Sequence, residues 1–419
     1  MEKALLVSIQ IKTDKHRWRI EDISSELEEL AVSAGVEVVE NIICICDKVT
    51  ANYLIGKGKV EEISVIASEE AVDTVIFSHD LSGTQQRNLE EALGRKTIDR
   101  TQLILDIFSR RAKSPEGKMQ VELALLQYLL PRLVGKGVML SRLGGGIGTR
   151  GPGETKLEVD RRQVRKRIDK LKNDLESFRS HRLTTHKKRK GNNLPLVALV
   201  GYTSAGKSTL LNRLTDAAQT TSEKLFTTLD PLSKSLQLPN GQNIIISDTV
   251  GFLHELPHHL IEAFKATLEE VSDADLLIHV LDASDQRMHQ HNQSVQGVLD
   301  ELGLKDKPVL VALNKIDLIS DRSWLEVCRN EFSGAVILSA RTGENLEALI
   351  ERIQGYFSSL MLNLKIIIPH SRMELVDFFY RQAKVDKIDY LQKGISINLR
   401  IPRGLFTKIN KDKDIRVIC

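Results

Sequence analysis

The chain is 419 residues long, carries 59 Lys and Arg against 56 Asp and Glu for a formal net charge of +3, and is 41% apolar and 27% charged. At roughly 100 to 200 residues per domain this length predicts about two to four domains, and the composition excludes a wholly disordered chain and a disulfide-stapled scaffold. Cys44, Cys46, Cys328 and Cys419 show no metal-ligand spacing, which points to a reducing compartment.

The apolar run Ala4 to Ile9 is cut short by Gln10 and Lys12, too soon for a secretory leader, and no stretch is long enough to span a membrane. A cytoplasmic address without membrane insertion is therefore expected. Residues 1–112 alternate strand-like and helix-like segments (Leu5 to Ile9, Ile20 to Ala34, Val36 to Cys46, Val60 to Ala67, Val75 to Phe77, Gln86 to Leu93), the pattern of an α/β domain. Inside it, Gly56-Lys57-Gly58-Lys59 resembles a phosphate loop only in part: it lacks the four-residue spacer and the hydroxyl after the lysine.

Residues 113–185 predict an antiparallel helical hairpin. The first helix runs from Glu116 to Leu133; the second places Leu157, Val164, Ile168, Leu171, Leu175 and Phe178 at heptad spacing, a seam for packing on another helix. Between them, Gly135 to Gly153 holds eight glycines in nineteen residues together with Lys136, Arg142 and Arg150. Loops of that length in compact proteins carry function or are linkers, and a glycine-rich basic tip can follow an irregular phosphate surface. Residues 150–190 contain fifteen Lys or Arg against six Asp or Glu, so the positive charge of the chain is concentrated here, an electrostatic footprint for nucleic acid. Residues 186–195 then read as a basic linker.

A second α/β pattern occupies residues 196–360, with strands expected at Val197 to Val200, Ile244 to Ser247, Leu276 to Leu281, Val309 to Leu313 and Ala335 to Leu338; residues 361–419 form a small tail of mixed strands with one helix near Met373 to Ala383. Directly after the first of these strands stands Gly201-Tyr202-Thr203-Ser204-Ala205-Gly206-Lys207-Ser208-Thr209, a P-loop in its strand-to-helix setting. Its glycines let backbone N–H groups and the helix N-terminus face phosphate, Lys207 would reach the β- and γ-phosphates, and Ser208 would ligate Mg²⁺.

Asn314-Lys315-Ile316-Asp317 follows the fourth strand. Asp317 supplies an acceptor for the N1 and N2 hydrogens of guanine, whereas adenine, lacking a 2-amino group, would leave it unpaired; GTP is thus favoured over ATP. Ser339-Ala340-Arg341, after the next strand, is placed to contact the guanine oxygen. Between these motifs, Phe226-Thr227-Thr228-Leu229-Asp230 and Asp248-Thr249-Val250-Gly251 look like two switches. Asp248 and Thr228 would join Ser208 around the metal, and Gly251 would offer its N–H to the γ-phosphate. Lys207, Thr228 and Gly251 are the expected catalytic set. Phe252 stands where Ras-like enzymes have a water-orienting glutamine, so slow intrinsic hydrolysis is expected, with the nearby His254, His258 and His259 read as surface residues.

With these motifs in hand, the chain resembles the HflX family of translational GTPases over nearly its whole length. The resemblance is carried outside the nucleotide core by Tyr53-Leu54-Ile55-Gly56-Lys57-Gly58-Lys59, Gln85-Gln86-Arg87-Asn88-Leu89, Asp99-Arg100, Ile104 to Phe108, Gln120-Val121-Glu122-Leu123-Ala124 and Gly151-Pro152-Gly153-Glu154-Thr155, and inside it by Asp248 to Phe252, Leu256-Pro257-His258 and Ala263-Phe264. It implies a GTPase that binds the large ribosomal subunit and splits stalled or idle ribosomes, often under heat stress, with hydrolysis as the release step; Mg²⁺ is expected from the motifs themselves, and a monomer is expected because nothing outside the hairpin looks like an association surface. It further implies that the hairpin tip approaches rRNA, with Lys136, Arg142, Arg150 and Lys156 as contacts. Ser204 stands where the family's P-loop commonly has Asn, a position associated with potassium binding in related GTPases, so potassium activation is not carried over. The expected architecture is multidomain α/β: an N-terminal α/β domain with a helical hairpin, a Ras-like P-loop GTPase domain and a small C-terminal α+β domain. Two other readings of the same residues are an Obg- or Era-like large-subunit assembly factor and a GTP-dependent protein-interaction switch.

Overall fold

The first strand, β1 (Lys3–Ile11), is apolar on both faces, a pattern that suits a strand covered on both sides. The computed structural model describes residues 2–13, 18–133, 156–191, 194–215, 225–226, 232–254, 260, 265–321, 323–392, 394–402, 406 and 415–418. In it β1 lies inside a parallel four-stranded sheet beside β2 (Glu37–Cys46), β3 (Thr74–Phe77) and β4 (Lys96–Asp99), in the order β2-β1-β3-β4. Ala4 and Leu6 cluster with Leu27 and Leu30 of α1 (Ile20–Ser33), while Leu5, Val7 and Ile9 cluster with Val60 and Ile63 of α2 (Lys57–Glu69) and Leu89 of α3 (Gly83–Leu93). A fourth helix, α4 (Arg100–Arg111), adds Ile104 and Phe108 to the side of α1.

Local signals set these boundaries. Ser82 and Gln85 form a reciprocal capping box at the start of α3, and Gly94 ends that helix with a left-handed φ of 60°. Asp99 caps α4 by accepting from the Gln102 N–H at 2.8 Å, and it also accepts from the Tyr128 hydroxyl, the Leu81 N–H and Arg132 at 2.8, 3.0 and 3.1 Å. One buried carboxylate thus joins β4 and α4 to the base of the hairpin. The partial phosphate motif opens α2, with Gly56 as N-cap and Lys59 paired to Glu62 at 2.7 Å.

The hairpin consists of α5 (Pro115–Leu129), a 3-10 turn at Leu130–Arg132, and α6 (Lys156–Gly191), a helix of 36 residues, about 54 Å at 1.5 Å per residue. Leu123 and Leu133 are buried with Val164, Ile168 and Leu171, and Arg167 grips Glu122 through two bonds of 2.6 and 2.7 Å. The segment Gly135 to Gly153, with Lys136, Arg142 and Arg150, lies outside the described residues. The basic run from His186, expected as linker, is helical as far as Gly191: Lys and Arg are good helix formers, and no proline intervenes before Pro195.

The second sheet is built from β5 (Leu196–Val200), β6 (Leu232–Gln237), β7 (Asn243–Asp248), β8 (Leu276–Asp282), β9 (Val309–Asn314) and β10 (Val336–Ile337), in the order β10-β9-β8-β5-β7-β6. All pairs are parallel except β6 with β7. The sequence LSKSLQ of β6 has too few apolar residues to announce a strand; its edge position asks for none on its outer side. Helices α7 (Lys207–Thr215), α8 (Lys265–Asp273), α9 (Met288–Glu301), α10 (Ser323–Glu331) and α11 (Leu346–Ser359) accompany this sheet. The tail holds a third, antiparallel sheet of β11 (Met361–Ile368), β12 (Lys384–Leu391), β13 (Gly394–Pro402) and β14 (Arg416–Ile418), in the order β12-β13-β11-β14, with α12 (Glu374–Gln382) contributing Phe379 to its own core.

The first two sheets share one core, although each also packs its other face into a cluster of its own. One cluster runs from Leu30, Phe108 and Tyr128 to Phe226, Val250, Phe252 and Leu253, and on to Leu268 and Val295. At its centre the rings of Phe108 and Phe226 meet edge to face, with centroids 4.6 Å apart. Phe108→Ala should therefore cost about 3–5 kcal/mol. The check is urea unfolding with hydrogen exchange: protection should fall in both β1 and β8 while that of the third sheet, which has its own core, stays unchanged.

Candidate active site

The fully buried strand β5 delivers the chain into the loop 201–206, and α7 begins at Lys207. Gly201 and Gly206 both have positive φ, 154° and 97°, and a β-carbon on either would collide, on Gly201 with the Val280 carbonyl and on Gly206 with the Asn314 amide. The loop is shaped by close approach as well as by conformation. Ser204 holds a left-handed φ of 60°.

Asn314 is the hub of the arrangement. Its amide donates to the Ala205 carbonyl and its carbonyl accepts from the Ala340 N–H, each at 2.8 Å, so one buried side chain joins the P-loop to the loop Ser339–Arg341. Ser339 in turn donates to Asp317 at 2.6 Å, which orients that carboxylate. Lys315, left-handed at φ 65°, pairs with Asp282 at 2.6 Å, and Ile316 opens the short 3-10 turn that carries Asp317. The guanine motifs, separated in sequence by more than a hundred residues from the P-loop, are thus brought to one end of the sheet.

At the phosphate end, Lys207 is buried and donates to the Gly201 and Tyr202 carbonyls at 3.0 and 2.7 Å. Burial pushes its ammonium down to about 8, against the pull of Asp248. Ser208 donates to Asp248 at 2.6 Å; both are buried. Thr249 faces inward, donating to the Leu199 carbonyl at 2.6 Å. Switch residues 250–252 lie along the P-loop: the Thr203 N–H donates to the Phe252 carbonyl at 2.9 Å and the Phe252 N–H to the Gly201 carbonyl at 3.1 Å. A β-carbon on Gly251 would sit 2.8 Å from the Thr203 Cα and 3.1 Å from the Lys207 Nζ, so only glycine fits there. Phe252 is 3% exposed and belongs to the core shared with the N-terminal sheet.

Of the expected residues, Gly201 to Thr209, Asp248 to Gly251, Asn314 to Asp317 and Ser339 to Arg341 are therefore brought together, while Phe226 is buried against Phe108 in the shared core. Thr227, Thr228, Leu229 and Asp230 lie outside the described residues, and Lys156 is the first residue of α6. His254 departs from expectation: it is half-buried, its ring stacked on Trp18 with centroids 4.4 Å apart, because the N-terminal sheet covers this switch. His258 and His259 fall outside the described residues.

Residues the sequence reading missed also reach the site. Glu26 of α1 accepts from the Tyr202 hydroxyl and from Arg100, and Arg100 donates to the His254 carbonyl at 2.6 Å. His279 of β8, buried near Lys207, is held neutral, its imidazolium pushed down to about 4 by burial and then by that lysine. Of these only Arg100 lay in a singled-out motif, beside Asp99.

Two outcomes test this geometry. Because nucleotide phosphate favours the charged lysine while the free protein releases that proton near pH 8, guanine-nucleotide affinity should be flat below about pH 8 and fall up to about tenfold per unit above it; binding isotherms from pH 7 to 9 measure the slope. Asp317→Asn should weaken GTP and improve xanthosine triphosphate, whose 2-oxo group inverts the hydrogen-bond requirement, in a competition assay between the two.

Four family models match the chain: "GTP-binding GTPase N-terminal" over residues 21–109, "GTP-binding GTPase Middle Region" over 111–189, "50S ribosome-binding GTPase" over 196–315 and "HflX C-terminal domain" over 327–408. Among curated proteins the chain is similar to the GTPase HflX of Caldanaerobacter subterraneus subsp. tengcongensis, 45% identical over 96% of this chain and 91% of that one. It is likewise similar to the GTPase HflX of Escherichia coli K12, 40% identical over 96% and 93%. A solved structure described as the SsGBP and GDP complex aligns at 28% identity with a TM-score of 0.48, covering 85% of this chain and 98% of that one.

Proposed function

The chain belongs to the HflX family of GTPases, and from that premise we propose that it binds the large ribosomal subunit, splits stalled or idle ribosomes, and uses GTP hydrolysis to let go. The observation that supports a ribosomal partner is α6. Its seam residues Val164, Ile168 and Leu171 are buried, while Arg162, Arg165, Lys166, Lys170 and Lys172 are exposed on the remaining faces of a rod about 54 Å long. Such a surface neutralises phosphates along a path that no protein-sized small-molecule pocket requires, and it leads toward the glycine-rich basic segment Gly135 to Gly153. In this reading Lys136, Arg142, Arg150 and Lys156 contact rRNA, and the domain units follow the expected divisions at residues 112 and 360, with the expected division at 185 falling inside α6.

The chain is a GTPase, and its residues define how the reaction is managed. Asn314 holds the P-loop at a set distance from Asp317, so that guanine and phosphates are read together. Lys207 leaves the Gly201 and Tyr202 carbonyls to meet the phosphates. Ser208 and Asp248 form a pair of hard oxygen donors that fits Mg²⁺, with Thr228 as the third expected ligand. The metal would neutralise phosphate charge. Phe252 is packed in the core and cannot orient water, so that task falls to a backbone group or to the partner surface, which makes turnover dependent on the partner.

Turnover should rise strongly on adding purified large subunits, and the stimulation should decline steeply as salt is raised from about 50 to 200 mM. Deleting Gly135 to Gly153 should abolish the stimulation and leave nucleotide affinity intact. Stimulation that ignores salt, or survives the deletion, would instead favour a protein partner; stimulation without separation of mature subunits in sedimentation would favour an assembly role.

A further inference from the structure

A sheet edge with unpaired backbone groups invites another strand, and proteins blunt such edges by keeping them short, charging them or covering them. Among the described residues, five of the six edges of the three sheets are blunted. β4, β10 and β14 are four, two and three residues long, β6 carries Lys234 between two serines, and β12 carries Lys384, Asp386, Lys387 and Asp389. β2 is the exception. It is ten residues long, has β1 as its one strand neighbour among the described residues, and ends in Asn41-Ile42-Ile43-Cys44-Ile45-Cys46, a run without charge, proline or glycine. Ile42 and Cys44 are buried with Val60 and Ile63 of α2. On the opposite face Asn41 is covered, donating to Ser24 of α1 at 2.6 Å, but Ile43 and Ile45 run past that helix and are 44% and 57% exposed.

The pattern fits a second copy of the same strand. Paired antiparallel about a two-fold axis at Cys44, β2 sets Ile43 opposite Ile45 of the second copy and Ile45 opposite its Ile43, so that the exposed isoleucines of both chains come together on one face. The same register sets Glu40 opposite Lys48 of the second copy, just past the end of its strand, on each side of the axis; both residues are exposed. Neighbouring registers lose this match. An axis at Ile43 sets Glu40 opposite Cys46, and an axis at Ile45 sets Ile43 opposite Asp47, so charge and apolar matching select one register. We propose that the outer edge of β2 is a self-association surface, through which two copies of this chain pair antiparallel and join their four-stranded sheets. Each copy offers one such edge, so the assembly closes at two. A strand pair buries less than a standard stable interface, so the dimer forms at micromolar concentration, and the monomer expected from the sequence is its dilute form. β4, which leads toward the hairpin, is the other edge of the same sheet and stays outside the pairing. The inference concerns the free chain and does not depend on a ribosomal partner.

The test is sedimentation equilibrium of the full-length chain from about 1 to 200 µM, a range that brackets a weak interface. The mean mass of the parent should rise from one chain toward two, with no larger species. Glu40→Lys or Lys48→Glu alone sets like charges opposite each other twice per dimer and should weaken association about fivefold, whereas the two reversals together restore both pairs and should return it to within about twofold of the parent. Ile45→Lys, which breaks the isoleucine cluster, should abolish the dimer. All three positions are exposed, so urea midpoints should match the parent and separate lost pairing from lost folding. A parent that stays at the mass of one chain throughout overturns the proposal. So does a dimer indifferent to these substitutions, which another surface would form, and so does growth beyond two copies, which marks unspecific aggregation.

Discussion

The apolar seam that runs from Phe108 and Leu30 to Phe226, Val250 and Phe252 governs the rest of the molecule, because the first two sheets each turn one face into it. Removing either side exposes apolar surface on the other, at a cost of order 25 cal/mol per Å². Neither switch is therefore an independent surface loop at its root. Phe226 starts switch I inside this seam and Phe252 lies at the end of switch II's pairing with the P-loop, so the moving parts of the nucleotide site grow out of an interface. The same fact explains Phe252: a residue that closes an interior cannot also point at water, and a polar glutamine buried there would leave its amide to find partners in an apolar cluster.

The hairpin is attached to this unit at two places of different chemistry. At its base, Asp99 gathers Tyr128 and Arg132, whose guanidinium also lies 3.6 Å over the Tyr128 ring. Further along, Arg179 and Arg182 of α6 pair with Glu269 of α8 at 3.3 and 2.7 Å, and Arg182 also meets Glu116 of α5. Since α8 follows switch II in the chain, a displacement of that switch and a displacement of the long helix share a set of ion pairs. Half-exposed pairs are individually weak, which suits a contact meant to be remade. Arg287 pairs with Glu29 at 3.2 Å and adds one more link between α1 and the nucleotide domain.

The third sheet stands apart in this respect. Ile366, Ile368, Ile395, Ile397 and Leu399 close around Phe379 without joining the seam, so its stability is its own. Its split β-α-β order leaves one sheet face for the helix and the other for polar residues such as Asn363, Lys365 and Asn398.

Much of this was legible from residue types alone. Short continuous apolar runs located β1 and β5, and heptad spacing located the seam of α6, because a strand covered on both faces is apolar throughout whereas a helix buries one stripe. The P-loop, Asn314, Asp317 and Asp248 were legible because phosphate, guanine and metal each demand a particular atom at a particular spacing. β6 was not, because an edge strand needs little apolar patterning, and neither was the helical end of α6, where charge was taken for a linker although Lys and Arg also favour helix. Only the tertiary structure decided that Glu26, Arg100 and Trp18 belong to the nucleotide site and that His254 is not a surface residue. A contact between residues separated by 150 or more positions depends on how two folded sheets dock, and no local pattern in the chain encodes it.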